Sequence, residues 1–565
     1  MKLFKQCILT ALLLLVSAFL SAVTAQTSEG EETEGWHLKS REKSGFYGIA
    51  LDKAYEFVKG KKGKTIIVAV IDSGVDTTHE DLKDNLWRNP KEIPGNGKDD
   101  DGNGYTDDVY GWNFIGGKDG RNVKEDSYEV ARVYHKFKSK YEDKKINVAE
   151  LSADEKAEYE MWLKASEEIA PDATEMMNLF FLKKLYKETQ GLDSVLAAGI
   201  GKKDFTGGDV DNYNPANDDE AKAKKKIKSF YENLGLDKSL VVKEILEELN
   251  AYVASLEKKA EQQEVAPKNY RAEIVKDNYD DFNDRFYGNG DVMASTPFHG
   301  THVSGIIGAV RNNKKGVDGI ATHVKLMTIR AVPDGDEHDK DIALAIRYAV
   351  DNGAQVINMS FGKSFSPEKK WVDEAVQYAA SKGVLLVHAA GNDHKNIDTA
   401  WNFPNPVFQQ SKKKASNWIT VGASSDPSFD QSSPEGKYNS LTASFSNYGK
   451  EEVDVFAPGM KIYSTIPGGN TYGNAQGTSM ASPVVAGLAA FILSYYPDLS
   501  AEQVKWVIEN SVSKTDMKVR KPGTTEDVDF SLICKTGGIV NAYEAIKLAS
   551  TLKGERSKTR ELKPF

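Results

Sequence analysis

The sequence predicts an α/β protein in which a doubly wound, mostly parallel sheet is interrupted by a helical insertion subdomain. One observation is the run at residues 65–72, which stays apolar from Ile66 until Asp72. Such a run is typical of a strand buried on both faces, and therefore of a parallel sheet covered by helices. The other observation is the alternation of strand-like and helix-like segments after residue 300. This alternation is typical of doubly wound domains.

The predicted elements of this domain follow in chain order. A short helix at 47–58 precedes the strand at 65–72, and the alternation resumes beyond the insertion. Its segments are a strand at 324–332, a helix at 339–352, a strand at 354–361, a helix at 368–382, and strands at 384–390, 419–423 and 453–456. The capping box Ser500-Ala-Glu-Gln503 predicts a late helix, and a last helix is predicted at 542–552.

Residues 120–285 are rich in Lys and Glu and are predicted to form the helical insertion. Its expected helices follow the capping box Ser152-Ala-Asp-Glu155, cover 173–190 and 219–234, and include 242–256, where apolar residues recur at helical spacing. A Gly/Asn/Asp-rich break is expected at 201–218. Charge runs on helices are most often solvated faces, so we do not interpret these as a binding surface.

The insertion divides the α/β domain into residues 46–119 and 286–550. A flexible lead-in at 26–45 precedes the domain, and a tail at 551–565 follows it. These boundaries rest on the change from apolar strand–helix alternation to charged helical sequence.

The first 25 residues are predicted to be a secretory signal. Lys2 and Lys5 precede the apolar run Ile8–Leu20, and small residues at Val23-Thr-Ala25 precede the expected cut. No later stretch approaches the roughly 18 apolar residues of a membrane span, so no stable membrane anchor is expected once the signal is removed. The sequence therefore predicts an exported protein, either periplasmic or secreted.

Composition excludes further classes of function. The net charge of −10, with 28% charged residues, gives no electrostatic basis for binding nucleic acid or an anionic membrane. Of the two cysteines, Cys7 leaves with the signal, so Cys534 has no partner for an intrachain disulfide.

The segment Gly477-Thr-Ser479-Met-Ala-Ser-Pro483 is the first candidate for chemistry. Proline is tolerated in the first turn of a helix, so we expect a helix to begin at Pro483, with Ser479 at or just before its start. Unpaired backbone N–H groups there would favour a nucleophile whose attack creates an oxyanion. On this segment alone, a plain N-cap serine explains the pattern equally well.

Three other segments have side chains suited to the same chemistry. Asp72 follows a predicted strand, at the edge where ligands bind in open α/β sheets, although Asp-Ser-Gly is also good turn sequence. His299 lies at the predicted start of a Gly-rich helix, and its imidazole can accept and return a proton. The pair His299 and His302 lacks the H-E-x-x-H arrangement of a metal site, so His302 is expected to be structural. Asn392 follows a buried strand and offers an amide donor, unless it forms only a turn.

Taken together, the four segments resemble the motifs of the subtilisin-like serine peptidases, the subtilases. In chain order they are Val-Ile-Asp72-Ser-Gly-Val-Asp, His299-Gly-Thr-His-Val-Ser-Gly, Ala-Ala-Gly-Asn392 and Gly-Thr-Ser479-Met-Ala-Ser-Pro. The order Asp, His, Ser is that of the subtilisin triad. The resemblance covers about residues 46–115 and 290–545.

This resemblance implies a serine endopeptidase that needs no cofactor for its chemistry. Ser479 would be the nucleophile, His299 the general base and acid, and Asp72 the residue that orients His299. The side chain of Asn392 and the backbone N–H of Ser479 would form the oxyanion hole.

The resemblance also implies protein or peptide substrates, bound as an added β-strand. The matching segments on the two sides of such a strand are Ala331, Val332, Pro333, Asp334 and Gly335, and Ser360, Phe361 and Gly362. Ala389 and Ala390 would line the primary pocket.

Two places suggest structural calcium. A D-x-D-x-N-G loop supplies side-chain oxygens from Asp99, Asp101, Asn103 and Asp107, but Tyr110 stands where an EF-hand has its bidentate Glu. A surface turn without metal is the alternative. By resemblance, Asp81 and Asn313 match ligands of a structural calcium in subtilases.

The sequence departs from the family pattern in two respects. Asp72 and His299 are 227 residues apart because the insertion separates them. Only about 45 residues separate the expected cut from Asp72, too few for an inhibitory prodomain plus the first elements. We therefore hypothesise that the insertion assists folding or restrains activity.

Two alternatives to an active endopeptidase remain at this stage. An esterase of the α/β-hydrolase type would need G-x-S-x-G and the order Ser, Asp, His, whereas the candidate nucleophile here comes last. A non-catalytic peptide-binding protein on a peptidase fold is disfavoured because all four candidate groups are present.

Overall fold

The computed structural model describes residues 34–169, 173–234, 238, 241–295, 297–429, 431–433 and 436–556. The predicted signal peptide, the first part of the predicted lead-in and residues 557–565 of the predicted tail lie outside the described residues. The described chain forms two compact units. One contains residues 130–267 and 432–436, and the other contains the rest of the described residues.

The larger unit is built on a nine-stranded sheet with the order β12-β15-β9-β6-β5-β4-β1-β3-β2. Its strands are β1 (Ile66–Asp72), β2 (Gly111–Asn113), β3 (Val324–Arg330), β4 (Val356–Met359), β5 (Leu385–Ala389), β6 (Trp418–Ser424), β9 (Val455–Pro458), β12 (Ser513–Lys514) and β15 (Gly538–Ile539). All neighbouring pairs are parallel except β12 with β15.

The remaining strands form three two-stranded sheets. They are β7 (Ser432–Ser433) with β8 (Gly436–Lys437), β10 (Ile462–Ile466) with β11 (Thr471–Ala475), and β13 (Val519–Arg520) with β14 (Asp527–Val528).

Helices of the larger unit lie at its start and between its strands. They are α1 (Arg41–Ser44), α2 (Leu51–Phe57), α10 (Tyr270–Ile274), α11 (Phe298–Gly308), α12 (Asp339–Asp351), α13 (Lys369–Ser381), α14 (Thr478–Tyr495), α15 (Ala501–Asn510) and α16 (Ala542–Ala549), with short 3-10 turns at Trp36–Leu38 and Phe530–Leu532. The predicted capping box of Ser500 and Gln503 is present at the start of α15.

The described part of residues 130–267 in the smaller unit is mostly helical. Its helices are α3 (Glu129–Tyr141), whose first residue belongs to the larger unit, α4 (Ala153–Ile169), α5 (Ala173–Thr189), α6 (Leu192–Ile200), α7 (Gly207–Asn212), α8 (Asp218–Leu234) and α9 (Val242–Glu264), with a 3-10 turn at Val148–Glu150. The expected break at 201–218 is wrong in part. Thr206 and Asp209 form a capping box that starts α7 inside it.

Burial of β1 on both faces explains why its sequence lacks alternation. Val68 and Val70 pack in the core that includes α14, whereas Ala69 and Ile71 pack in the core that includes α12 and α13. Helices therefore cover both sides of the sheet, and the predicted α/β fold class is confirmed.

Helix α14 crosses the core of the larger unit and begins earlier than predicted. By length and composition it could span a membrane, but 89% of its apolar window is buried inside the protein. It starts at Thr478 with Gly477 as N-cap, so Pro483 lies inside the helix and Ser479 is not the N-cap. Pro483 has no N–H for the carbonyl of Ser479, and the hydroxyl of Ser360 donates to that carbonyl instead, at 2.9 Å.

Candidate active site

Asp72 ends β1 at the carboxyl edge of the parallel sheet and is only 2% exposed. Its Oδ1 accepts hydrogen bonds from Ser73 N at 2.7 Å and from His299 Nδ1 at 2.8 Å. Its Oδ2 is buried and has no partner among the described residues. The carboxylate is therefore held against the imidazole by the end of the strand.

His299 is the second residue of α11, and the start of this helix packs closely on the turn after β1. A Cβ on Gly300 would lie 2.0 Å from the carbonyl oxygen of Gly74 and 3.2 Å from Cβ of Asp72. Only glycine allows this approach, which brings His299 to the carboxylate.

The electrostatic surroundings of His299 act in opposite directions. Burial lowers its pKa, but the negative charge of Asp72 and their hydrogen bond raise it, and the net result is a raised pKa. His302, one turn along the helix, is fully buried and contacts the carbonyl of Gly473 at 3.1 Å. Burial lowers the pKa of His302 to about 4, as expected for a neutral structural residue.

Ser479 lies in the first turn of α14. Its hydroxyl donates to the carbonyl of Ser360 at 3.1 Å, and within the described residues it makes no hydrogen bond to His299. Its backbone N–H likewise has no acceptor in that part of the chain, as expected in the first turn of a helix. The Ser479 hydroxyl and an unpaired backbone donor therefore belong to the same residue.

Asn392 follows Gly391, which adopts a left-handed backbone with φ of +99°. The side-chain oxygen of Asn392 accepts hydrogen bonds from Thr478 N at 2.8 Å and Thr478 Oγ1 at 2.9 Å. This fixes the amide orientation and leaves Nδ2 without an acceptor among the described residues. A Cβ on Gly477 would lie 3.4 Å from Nδ2, so the free amide is beside the start of α14.

These groups together offer an oriented imidazole, a hydroxyl at a helix start and free N–H donors beside it. That combination suits acyl transfer, in which a nucleophile, a base and oxyanion donors are required. A family model described as "Subtilase family" matches residues 63–529, which is more than half of the chain. The chain belongs to the subtilase family. Its enzyme class is therefore that of the serine-type endopeptidases.

Characterised relatives agree with this membership. The chain is 36% identical to thermitase of Thermoactinomyces vulgaris over 280 residues, which are 48% of this chain and 85% of thermitase. It is 41% identical to subtilisin DY of Bacillus licheniformis over 209 residues, 37% of this chain and 67% of that protein. It is 44% identical to a thermophilic serine proteinase of Bacillus sp. strain AK1 over 197 residues, 35% of this chain. That match spans only 42% of the Bacillus sp. protein.

The predicted substrate-binding segments of this subtilase extend from the ends of two strands. Residues 331–335 continue β3, and Ser360, Phe361 and Gly362 continue β4. The order β4-β1-β3 places β1 between them. Beyond Asp72, where β1 ends, no described strand of the sheet lies between the two extensions, and this region is called the gap below.

The 331–335 segment is already paired on one side. Asp334 N donates to the carbonyl of Lys124 at 2.7 Å, and Asp126 N donates to the carbonyl of Asp334 at 3.0 Å. Since alternate residues of a strand point their backbone groups to opposite sides, Pro333 and Gly335 face the other way. Gly335 makes no backbone hydrogen bond within the described chain.

The predicted pocket residues Ala389 and Ala390 lie at the end of β5 and are buried. Asn447, which the sequence prediction did not include, holds the loop that follows them. Its Nδ2 donates to the carbonyl of Ala390 at 2.9 Å, and its Oδ1 accepts from Asp393 N at 3.0 Å and Lys395 N at 2.8 Å. No local sequence signal marks Asn447, because its partners lie more than 50 residues away.

Arg330 is a second supporting residue that the sequence did not reveal. It is 1% exposed, and its guanidinium donates to Ser73 O at 3.1 Å, Asn113 Oδ1 at 3.1 Å and Val123 O at 2.6 Å. Burial lowers the pKa of Arg330 to about 10. These bonds fix the turn that follows Asp72.

The candidate calcium ligands fall in two groups. Asp81 is fully buried, accepts a hydrogen bond from the Asn313 side chain, and accepts another from Val317 N at 3.2 Å. The structure thus brings Asp81 into contact with the side-chain amide nitrogen of Asn313.

In the D-x-D-x-N-G loop, Asp99 and Asp101 come together with Glu92, each with an oxygen within 4.8 Å of the others. Asn103 turns its Oδ1 to Tyr105 N at 2.8 Å. Asp107 lies outside this group, because its oxygens accept from the backbone N–H groups of Gly95, Asn96 and Gly97.

Proposed function

We propose that this subtilase hydrolyses peptide bonds through an acyl-enzyme on Ser479, with Asp72, His299 and Asn392 in the roles that the resemblance implies. The observation that supports this most is the 2.8 Å contact between His299 Nδ1 and Asp72 Oδ1. It leaves the other ring nitrogen, Nε2, available to take the proton of a hydroxyl.

In the proposed first step, the Ser479 hydroxyl leaves the carbonyl of Ser360 and donates to His299 Nε2. The oxygen attacks the substrate carbonyl carbon while Nε2 accepts the hydroxyl proton. Asp72 stabilises the resulting imidazolium, which then protonates the leaving amine. Water deacylates Ser479 by the same route in reverse, so no cofactor takes part.

The charge that develops on the substrate oxygen would be stabilised by two donors. These are the Ser479 backbone N–H and Asn392 Nδ2, neither of which has an acceptor in the described part of the chain. Because Thr478 holds the Asn392 amide by its oxygen, the donor is oriented before substrate binds.

Removal of the Asn392 side chain should therefore affect chemistry more than binding. We expect Asn392→Ala to lower kcat by about 10²- to 10³-fold with little change in KM, the scale for loss of one oxyanion donor. Steady-state kinetics on a peptide amide checks this. A matched loss from Asn510→Ala, whose amide donates to the carbonyl of Trp506 at the end of α15, or an unchanged kcat in Asn392→Ala, would contradict the role.

The substrate would enter as a strand in the gap beyond Asp72, between Gly335 on one side and Gly362 on the other. Backbone groups there supply affinity without selecting side chains. Natural substrates are therefore proposed to be extended or unfolded segments of proteins.

Incubation of this subtilase with a denatured protein should produce new internal termini, which mass spectrometry detects. A denatured protein that stays intact, or cleavage of peptide esters without cleavage of peptide bonds, would contradict endopeptidase action.

We further propose two structural calcium sites that take no part in the chemistry. Asp81 and Asn313 form one. In the loop site, Glu92 joins Asp99 and Asp101 as a ligand, supplying a carboxylate that the loop lacks at its last position. Glu92 is only 8% exposed, and its Oε2 has no partner among the described residues. Asp101 Oδ2 also accepts a hydrogen bond from Asn89 Nδ2 at 3.3 Å, and the exposed ammonium of Lys91 lies 4.0 Å from the same oxygen.

Calcium should stabilise the chelator-treated protein, and Glu92→Gln should remove part of that effect. Ligand linkage gives about 2.7 kcal/mol of stability at a free concentration of 100 Kd. Calcium titration calorimetry is done on a Ser479→Ala background, which prevents self-digestion. It should give two calcium sites in that protein and one calcium site when Glu92→Gln is added. Glu544→Gln, a carboxylate on the exposed face of α16, is the control. Equal counts in both variants would contradict the loop site.

Export is proposed from the N-terminal sequence alone. Lys2, Lys5 and the apolar run Ile8–Leu20 support a cleavable signal. N-terminal sequencing of protein recovered outside the cytoplasm should begin near residue 26. An intact Met1 on that protein would contradict cleavage.

A further inference from the structure

The two sides of the proposed substrate gap are not joined by sheet hydrogen bonds. One side continues β3 and the other continues β4, and β1, the strand between them, ends at Asp72. The width of the gap beyond that point must therefore be set by side chains or loops. This argument rests on the proposed function, which gives the gap its substrate.

Lys363 crosses from one side of this gap to the other. It directly follows Gly362, and its backbone pairs with Phe403 through bonds of 2.9 Å in each direction. Its ammonium reaches the carbonyl of Glu337 at 2.8 Å and Oδ1 of Asp339 at 2.9 Å. Both acceptors belong to the chain that continues from Gly335.

The ammonium is buried and paired with two carboxylates, those of Glu129 and Asp339, so its position is well defined. The Lys363 side chain is 1% exposed and also contacts Glu129 Oε2 at 2.7 Å. Asp339 is itself held by Ser366 Oγ at 2.9 Å and Glu368 N at 2.8 Å. A buried ion pair of this kind is costly to break by removing one partner, because the remaining charge stays buried.

Glu129 links the same ammonium to the segment that backs the gap. Its backbone N–H donates to Asp336 Oδ2 at 2.7 Å. A few residues earlier, Lys124 and Asp126 pair with Asp334 on the side away from the gap. The β3 side is therefore supported from behind by residues 124–129 and tied across to the β4 side by Lys363.

We propose that Lys363 is a positioning residue for extended substrates, which holds the two sides of the gap at the spacing of one added strand. It touches neither the scissile bond nor the catalytic groups. A substrate with several residues before the cleaved bond must pair with both sides and depends on this spacing. A substrate with one such residue reaches only the region of Ser360 and the pocket, and does not.

The test compares two substrates with the same leaving group, one with a single residue and one with four residues before the cleaved bond. Extension should raise kcat/KM strongly in the native chain. In Lys363→Met we expect the ratio of kcat/KM for the four-residue substrate to that for the single-residue substrate to fall at least tenfold, mainly because KM for the longer substrate rises. The kcat/KM of the single-residue substrate should change by less than about twofold. Lys363→Arg, which keeps the charge, should recover part of the gain.

Lys369→Met is the matched control, because Lys369 forms a lysine–aspartate pair with Asp373 at 2.5 Å within α13, away from the gap. If Lys363→Met does not fold, Glu129→Gln weakens the same cluster while keeping the ammonium and Asp339. Equal loss for both substrates, or an unchanged gain, overturns the positioning role. Failure of the native chain to cleave either substrate defeats the proposed function instead.

Discussion

Replacement of Ser479 by alanine is expected to lower kcat for peptide hydrolysis by about 10⁶-fold, the scale that loss of the triad serine has in subtilisin. The physical reason is that no other group then offers an oxygen nucleophile at the start of α14. The free N–H donors and the substrate gap remain, so binding of a peptide should persist with a similar Kd. Kinetics on a peptide amide and binding by calorimetry measure the two effects separately.

Ser494→Ala is the control for this variant. Ser494 lies on the same helix, is 2% exposed, and donates to the carbonyl of Phe491 at 2.7 Å. It should retain nearly full activity. Substantial peptide hydrolysis by a pure Ser479→Ala protein would mean that another residue is the nucleophile.

Asp72→Asn is expected to lower kcat by about 10⁴-fold, the effect of the same change in other serine-protease triads. Asparagine can keep the contact with His299 but favours the wrong tautomer and leaves the imidazolium without its counter-charge. KM should change little, since Asp72 lies under the imidazole and contacts no proposed substrate position. Steady-state kinetics with a folded-state check by circular dichroism measures this.

The same variant should shift the pH dependence of kcat/KM in a defined direction. Neutral His299 is the active base, so activity rises with pH as His299 loses its proton. Asp72 raises the pKa of His299 while burial lowers it. In Asp72→Asn only burial, which lowers the pKa of His299, remains. The rise of kcat/KM with pH should therefore occur at lower pH than in the native chain. Asp76→Asn, a buried carboxylate in the same loop that caps Thr78, should leave both rate and midpoint nearly unchanged.

The strand–helix alternation and the four Gly-rich segments could be predicted because each leaves a recognisable pattern in its own stretch of sequence. The run to Asp72 is apolar since both faces of β1 are covered, and the glycine after His299 is required by the 2.0 Å approach to Gly74. The short helix α7 has a readable capping box at Thr206 and Asp209, although the Gly, Asn and Asp residues around it predict a break.

Other features depend on contacts that the sequence motifs do not reveal. Pro483 is tolerated inside α14 because the hydroxyl of Ser360, 119 residues away, bonds the carbonyl that proline leaves free. Asp107 is turned to Gly95, Asn96 and Gly97 by a local fold of the loop that the D-x-D-x-N-G pattern does not reveal. The buried ammonium of Lys363 has Glu129, 234 residues away, as one of its partners.

The proposed mechanism requires Ser479 to be an activated nucleophile and not only a helix-start residue. Its most direct measurement is labelling of the full chain with a serine-reactive phosphonate, followed by peptide mass spectrometry. We expect a single adduct on Ser479, formed far more slowly in Asp72→Asn and absent in Ser479→Ala. An adduct on another residue, or no adduct on a folded and calcium-supplied protein, would contradict it.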